Sequence, residues 1–450
     1  MDSKVKMRTQ DPKKRINNFD EVELGYNSEE ALKEASRCLQ CKKPMCVTGC
    51  PVSIQIPDFI KYIRESDIKS AYEVISKYSS LSSICGRVCP QEKQCESKCI
   101  KGLKGEAISI GYLERYVSDA AFENDLVSFD KIEKNGKKVA IVGSGPAGLS
   151  CAGELAKNGY DVTIYEVLQE AGGVLIYGIP EFRLPKSIVK REVNSLKNLG
   201  VKILTNVPIG NALSIEDLRS EYDAVFVASG AGLPKFMGIV GEDANEVFSA
   251  NEILTRINLM KSYKKGAKTP IKDAKVAYVI GGGNVAMDAV RSLKRLGIET
   301  HLMYRRGEDE LPARKMEIIH AKEEGIIFDL LQNPVEILTD ENNSVRGMKV
   351  VNMILGKEDE SGRRSVSEDN DSIHEVKCDM IVMALGTSPN HEALKESNIL
   401  INDKGLIEVN GTKTSVDRVF AGGDAVSGAA TVILAMQAGK NAAHEIMQLK

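Results

Sequence analysis

Apolar and polar positions divide this chain into two textures. Up to about residue 135, apolar residues recur at helical spacing between polar breaks. Asn27 and Glu30 stand at capping-box spacing ahead of a helix leading to Gln40 and the first cysteines. Ile56 to Tyr78 is apolar at helical intervals, and Ser109 to Phe122 predicts another helix. The run KIEKNGKK, around Asn135 and Gly136, reads as a polar linker. Beyond it, short apolar strands alternate with helical runs. Lys138 to Val142 and Asp161 to Tyr165 flank one helix; Val276 to Ile280 and Thr300 to Tyr304 flank another. Two βαβ units, each opened by a glycine cluster, predict an α/β protein: a mostly helical N-terminal domain, then two Rossmann-like domains. The charged stretch Glu358 to Ser372 reads as a surface loop, and the chain is expected to finish in a helix from Thr431 to Met447.

Composition narrows the class. A length of 450 residues suits two or three domains. With 60 basic and 63 acidic side chains, a net charge of −3 gives no reason to expect nucleic acid or an anionic membrane as partner. The polar start argues against a secretory signal, and no apolar run reaches the roughly 20 residues that span a bilayer. A cytoplasmic location is expected. Eight of the ten cysteines lie between Cys38 and Cys99. In a reducing compartment, thiolates at short spacings point to metal binding and not to disulfides.

The first glycine cluster, VGSGPAGL, has Gly143, Gly145 and Gly148 at G-x-G-x-x-G spacing, with Pro146 and Ala147 between them. It follows a strand and opens a helix, so its backbone can approach a pyrophosphate at the helix N-terminus. Glu166 ends the next strand, where a carboxylate can accept hydrogen bonds from ribose hydroxyls. The second cluster, GGGNVAMD, contains Gly281, Gly283, Asn284 and Ala286 in the G-x-G-x-x-A variant. Arg305 and Arg306 end its second strand, where arginine suits the 2′-phosphate of NADP. A solvated basic turn is the plainer alternative, since acids follow at Glu308, Asp309 and Glu310. An acid at one site and arginines at the other imply FAD first and NADPH second. Gly423 and Asp424 of VFAGGDA could bring a turn and a carboxylate to the flavin's ribityl chain, which makes the flavin domain discontinuous. The expected division is 1–135 for the cysteine-rich domain, 136–250 and 375–450 for FAD, and 251–374 for NADPH. Between Cys151 and Cys378 there is no cysteine, so a redox-active pair beside the flavin is not expected.

The cysteine runs are Cys38-x2-Cys41-x4-Cys46-x3-Cys50-Pro51, then Cys85-x3-Cys89-Pro90 with Cys95 and Cys99. They fit two [4Fe–4S] clusters, two zinc sites or disulfides. A cysteine before proline is a ferredoxin-like feature, and clusters supply the exit for single electrons that zinc does not. In two-cluster ferredoxins that cysteine ligates the other cluster. By that logic Cys38, Cys41 and Cys46 share one cluster with a residue of the second run, while Cys50 crosses over.

RCLQCKKPMCVTGCPV, CGRVCPQEKQCESKC, ISIGYLERY, VGSGPAGL, GGVLIYGIPEFRLPK, GGGNVAMD and AGGDA together resemble the small-subunit family of NADPH-dependent glutamate synthase over nearly the whole chain. The module also resembles the N-terminal half of dihydropyrimidine dehydrogenase and the large subunit of electron-bifurcating ferredoxin:NADP transhydrogenase. The resemblance implies glutathione-reductase-type FAD and NADPH domains, and extends the cofactor residues to Gly173, Arg183, Gly386 and Thr431. It implies one cluster on Cys38, Cys41, Cys46 and Cys99. The other would use Cys50, Cys89, Cys95 and Glu114, leaving Cys85 spare; Cys85 as the last ligand is the alternative. The expected activity is transfer of electrons from NADPH through FAD and the clusters to a partner subunit. That partner is the glutamate synthase large subunit, or a ferredoxin-linked flavin subunit under the transhydrogenase reading. The flavin–nicotinamide step requires no general acid or base, so no catalytic residue is named. A scaffold with vestigial sites is the reading from another class, and the intact glycine, arginine and cysteine sets argue against it.

Overall fold

The computed structural model describes residues 3–128, 132–358 and 363–449. Asn27 caps the helix Ser28–Ser36 in a complete capping box with Glu30, as its spacing predicts. The apolar stretch after Ile56 forms two helices, Ile56–Arg64 and Ile68–Ser76, and not one. Ser66 takes a left-handed φ of 58° and Asp67 caps the second helix on Ser70. The helices Ser82–Val88 and Ile110–Glu123 complete this N-terminal part. Its apolar side chains share one core with the first sheet, where Leu81, Ile84 and Leu113 are buried with Ile141, Leu155 and Met436.

The first parallel sheet orders its strands as Val419–Ala421, Ala224–Val227, Lys138–Val142, Asp161–Tyr165 and Lys202–Leu204. The second orders Val247–Ser249, Met380–Met383, Val276–Ile280, Glu299–Tyr304 and Ile327–Leu330. Each has the central βαβ unit read from the sequence. The expected boundaries at 250 and 374 shift, because Val247–Ser249 and Met380–Met383 pair in the second sheet. The chain crosses between sheets at the short antiparallel pair Leu233–Pro234 with Thr387–Ser388. Short buried strands look alike in sequence, so their sheet membership was not written locally.

The charged stretch expected as a loop is corrected too. Arg364–Val376 is a strand, paired antiparallel to Val345–Glu358, which pairs in turn with Gln332–Thr339. Residues 359–362 of that stretch lie outside the described residues. The strand is exposed along most of its length, so it lacks the apolar alternation by which a half-buried strand is read.

Buried charge joins the parts. Arg15, fully buried, donates to Glu324 at 2.8 Å and to the His320 carbonyl at 3.2 Å. Arg291 and Arg295 also meet Glu324, at 2.8 and 2.7 Å. Arg183 binds Asp288 at 2.7 Å and Glu317 at 3.2 Å, and Glu317 also pairs with Arg291. The Arg295 guanidinium lies 3.8 Å from the centre of the Phe182 ring. Against the burial that would raise it, Arg183 and Arg291 hold the Glu317 carboxyl down to about 2.

Glu324→Ala leaves three buried arginines without their shared anion and is expected to destabilise by about 3–5 kcal/mol. Thermal unfolding reads this, and a variant that melts with the parent contradicts it. A second expectation concerns pH. Burial and the Arg291 charge push the His320 imidazole down to about 4, against about 6.5 in an unfolded chain. As pH falls from about 6.5 toward 4, the unfolded chain therefore takes up a proton that the folded chain refuses. Stability is lost across that window, and melting curves at stepped pH should show a flatter slope in His320→Gln.

Candidate functional site

The first cradle forms where the strand Lys138–Val142 turns into the helix Pro146–Lys157. Gly143 has φ 101°, and a Cβ there would collide with the Ala228 carbonyl. Nothing stands within 4 Å of the position a Gly145 Cβ would take, so that side is open at the helix N-terminus. Pro146 occupies the first turn, where its missing N–H is harmless, and Ala147 is buried. Gly148 faces the Gly143 carbonyl with no room for a side chain. Glu166 is buried at the end of the next strand. It accepts from the Ser144 N–H at 3.0 Å, from the Ser144 hydroxyl, and from the Leu168 N–H at 2.8 Å.

Two further turns converge on this loop. Gly173 would bring a Cβ within 2.9 Å of the Gly145 Cα, and Gly423 within 3.0 Å of the Ala147 Cβ. Asp424 follows, its carboxyl pushed up by burial, with one oxygen accepting from the Ala430 N–H at 3.3 Å. Thr431 caps the last helix, Val432–Met447. That helix lies directly on Pro146–Lys157, because a Cβ at Gly439 would collide with the Ala147 carbonyl. Gly386 stands apart, accepting from the Lys235 N–H at 3.1 Å beside the crossing strands. Arg183 is also not aimed into this cradle, since both Asp288 and Glu317 engage its guanidinium.

The second cradle repeats the geometry. A Cβ at Gly281 would strike the Ala384 carbonyl, and the space at Gly283 is open at the N-terminus of Asn284–Arg295. Asn284 accepts from the Arg314 N–H at 2.9 Å, and Ala286 is fully buried. Arg305 is exposed at the end of Glu299–Tyr304. Arg306 is half-buried and donates its Nε–H to the Arg364 carbonyl at 2.8 Å. Of the acids that follow, Glu308 is paired with Lys322.

The cysteines fall into two sets. Cys38 is raised by burial and then by the nearby Cys99 and Cys41, and Cys46 is pushed up to about 11 by burial, then by Cys99, Cys38 and Cys41. All four are half-buried. The second set is deeper at Cys89 and Cys95, while Cys50 is half-buried. Cys50 is pushed up to about 11, mainly by burial, with Glu114 and Cys89 beside it. Cys95 is raised by burial and faces Cys50, Glu114 and Cys89. Glu114 itself is 7% exposed, and its buried Oε1 has no hydrogen-bond partner. Burial, then the charge of Glu192, pushes it up to about 8. A carboxylate oxygen orphaned among thiols is costly unless a cation takes it, so the donors fit a metal-containing group. Among the described residues no three His, Cys, Asp or Glu are gathered tightly enough to hold one metal ion.

Cys85 is 1% exposed, one turn before Cys89 and hydrogen-bonded to it, with Glu114 and Cys50 also beside it, and its Sγ lies 3.3 Å from the Met436 Sδ of the last helix. Cys151 and Cys378 are buried apart from both sets. Three participants escaped the sequence reading. Ser144 fastens Glu166, and its place inside the G-x-G was a usable signal. Arg314 donates to the Arg87 carbonyl at 3.0 Å and to Gln91 Oε1 at 2.9 Å, tying the second cradle to the cysteine-rich part. Gln91 in turn donates to the Cys85 carbonyl at 3.2 Å. Nothing local marks either of these two.

Comparison with known proteins agrees with this layout. Residues 15–126 match the family described as dihydropyrimidine dehydrogenase domain II, 4Fe-4S cluster. Residues 137–439 match pyridine nucleotide-disulphide oxidoreductase. FprA of Mycobacterium tuberculosis, solved in complex with NADPH, shares the fold of the nucleotide-binding part. Its TM-score is 0.59 at 19% identity, covering 69% of this chain and 84% of that one. NADPH-Fe(3+) oxidoreductase subunit beta of Geobacter sulfurreducens is 35% identical over 90% of this chain and 63% of its own length. Glutamate synthase [NADPH] small chain of Escherichia coli is 35% identical over 95% of this chain and 93% of its own. With an intact cradle for each nucleotide and near full-length similarity to that small chain, the protein is an NADPH-dependent oxidoreductase belonging to the glutamate synthase small-chain family.

Proposed function

We propose that this chain is the NADPH-oxidising subunit of a glutamate synthase, supplying electrons to a partner subunit that forms glutamate from glutamine and 2-oxoglutarate. When bound, FAD would take a hydride from NADPH, and two [4Fe–4S] clusters would carry the electrons onward singly. The chain's own work is placement. Gly143, Gly145, Pro146, Ala147 and Gly148 would hold the flavin pyrophosphate, with Glu166 at the ribose side and Gly173, Gly423, Asp424 and Thr431 closing the cradle. Gly281, Gly283, Asn284 and Ala286 would take the NADPH pyrophosphate, and Arg305 and Arg306 its 2′-phosphate. Cys38, Cys41, Cys46 and Cys99 would hold one cluster; Cys50, Cys89, Cys95 and Glu114 would hold the other. The deeper set abuts the flavin part, because Gln437 of the last helix donates to the Pro51 carbonyl at 2.9 Å and Met436 touches Cys85. That makes it the first stop for electrons and the half-exposed set the exit. The division of the thiols into two sets, with Glu114 orphaned in the deeper one, is the observation that carries this reading. No helix among the described residues is long and apolar enough to cross a membrane.

Anaerobically purified Cys85→Ser is expected to keep about eight irons per chain, as two four-iron clusters require. Glu114→Ala should change the EPR signal and potential of one cluster. Loss of a cluster in Cys85→Ser, with Glu114→Ala spectroscopically unchanged, would reverse the assignment of that ligand. Double substitution of Arg305 and Arg306 by Ala removes charge-assisted hydrogen bonds to the phosphate, each worth about 1.5–3 kcal/mol before solvent takes their place at this exposed edge. The KM for NADPH should rise roughly ten- to a hundredfold with NADH little affected, and an equal effect on both nucleotides counts against a 2′-phosphate site. Isolation of the native complex tests the partner: a large amidotransferase chain supports the proposal, and a small flavin-carrying subunit sinks it.

A further inference from the structure

Arg314 spans the seam between the second cradle and the inner thiols. It immediately precedes the helix Lys315–Glu323 and is 6% exposed. On the nucleotide side its main-chain N–H holds Oδ1 of Asn284, the first residue of Asn284–Arg295. The other end of that amide, Nδ2, donates to no described residue. On the thiol side the guanidinium holds the Arg87 carbonyl and Gln91 Oε1. Gln91 is buried and donates onward to the carbonyls of Cys85, at 3.2 Å, and Gly86, at 3.4 Å. It is wedged between two helices. A Cβ at Gly111 would collide with its amide, and one at Gly86 would come within 2.7 Å of the Arg115 main chain. Gly86 lies in Ser82–Val88, which leads into Cys89; Gly111 lies in Ile110–Glu123, which carries Glu114.

The anchorage of this arginine is incomplete. Arg15, Arg183 and Arg291 each hold a carboxylate within 2.8 Å, whereas the hydrogen bonds of Arg314 go to neutral acceptors. Its Nε is buried without a hydrogen-bond partner, and so is Oε1 of Glu92, 3.6 Å away. Two buried orphans of opposite charge are costly apart, and a movement of under about 1 Å joins them. A cavity of about 130 Å³, lined by Gln91, Glu92, Tyr112 and Arg314 among others, leaves room for it. The guanidinium therefore has two discrete seats, one on Arg87 and Gln91, as found, and one on Glu92. The first leaves its positive charge unpaired against the helix that leads into Cys89; the second neutralises that charge and releases Gln91.

We infer that Arg314 is a positioning residue with two seats, through which nucleotide binding and the redox state of the inner thiol set are coupled. The inference rests on the proposed sites of NADPH at the second cradle and of a cluster on Cys50, Cys89, Cys95 and Glu114. A pyrophosphate that takes the Asn284 Nδ2 hydrogens draws on the Arg314 main chain and favours the seat on Glu92. With the cation neutralised there, the inner set holds an added electron less tightly. Coupling between two binding equilibria is reciprocal. An electron arriving at the inner set therefore loosens the oxidised nucleotide, so that release of NADP+ follows the departure of electrons from the flavin.

The test uses 2′-phospho-ADP-ribose, which carries the pyrophosphate and 2′-phosphate of NADP+ but has no nicotinamide to accept a hydride. Anaerobic holoprotein is poised with dithionite and mediators, and the EPR signal that changes in Glu114→Ala reports the inner set. The probe is expected to bind about tenfold more weakly once that set is reduced, which lowers its potential by about 59 mV for one electron. The other cluster signal should keep its potential. In Arg314→Met the difference in affinity should shrink to within about twofold. Glu92→Gln, at a half-buried position, should do the same and serves if Arg314→Met fails to fold. Calorimetry on the oxidised protein reads binding of the probe separately. Bound probe with an unshifted potential, or an equal shift in the parent and both variants, would overturn the coupling alone. Absence of probe binding, or of any cluster signal, would overturn the cradle or cluster assignment and this inference with it.

Discussion

A single buried carboxylate, Glu324, sets the frame on which everything else is hung. Arg15 reaches it from the N-terminal segment, and Arg291 and Arg295 from the helix that opens the second cradle. A neighbouring carboxylate, Glu317, extends the lattice through Arg183 to the flavin part. Charges this deep are expensive to bury, and they repay the cost only when every partner is in place. The consequence is geometric more than energetic. Three stretches of chain far apart in sequence have one relative pose in which all these groups are satisfied, and that pose fixes the two cradles against the thiol sets.

Within that frame, burial grades the thiols. The deeper set lies against the last helix of the flavin part, and the outer set lies half in solvent. Such a gradient suits the electron path proposed above. An inner site benefits from a dry, unchanging environment that holds its potential, while a site that hands electrons away must be reachable. The carboxylate Glu114 belongs to the inner group, where a harder oxygen donor among thiolates would shift the electronic balance of one site relative to the other.

Much of the fold was legible because its signals are local. The strand–glycine–helix units at Gly143 and Gly281 and the capping box at Asn27 each occupy a few consecutive residues, and the structure has them where the spacing put them. What was not legible depends on partners distant along the chain. Val247–Ser249 and Met380–Met383 are short apolar runs, and only hydrogen bonding across more than a hundred residues assigns them to the second sheet. The strand Arg364–Val376 is mostly exposed, so its charges read as loop. Arg183 was expected among the cofactor residues, and nothing local reveals its pairing with Asp288, 105 residues away. The grouping of the thiols needed a crossing pattern supplied by resemblance. Glu114 came in as a ligand through the resemblance, and the structure adds that it lies on the buried side of Ile110–Glu123.

Gly439 has a reach beyond packing. Its missing side chain lets the last helix rest against Pro146–Lys157, and three and two residues earlier that same helix presents Met436 and Gln437 to the inner thiol region. The helix is thus a spacer with one face keyed to the nucleotide loop and another to the thiols. Tunnelling probability decays exponentially with separation, so the thickness of one residue in this seam becomes a rate. A methyl group there would lift the spacer from its seat and, on the proposed electron path, lengthen the gap between the flavin part and the inner thiols.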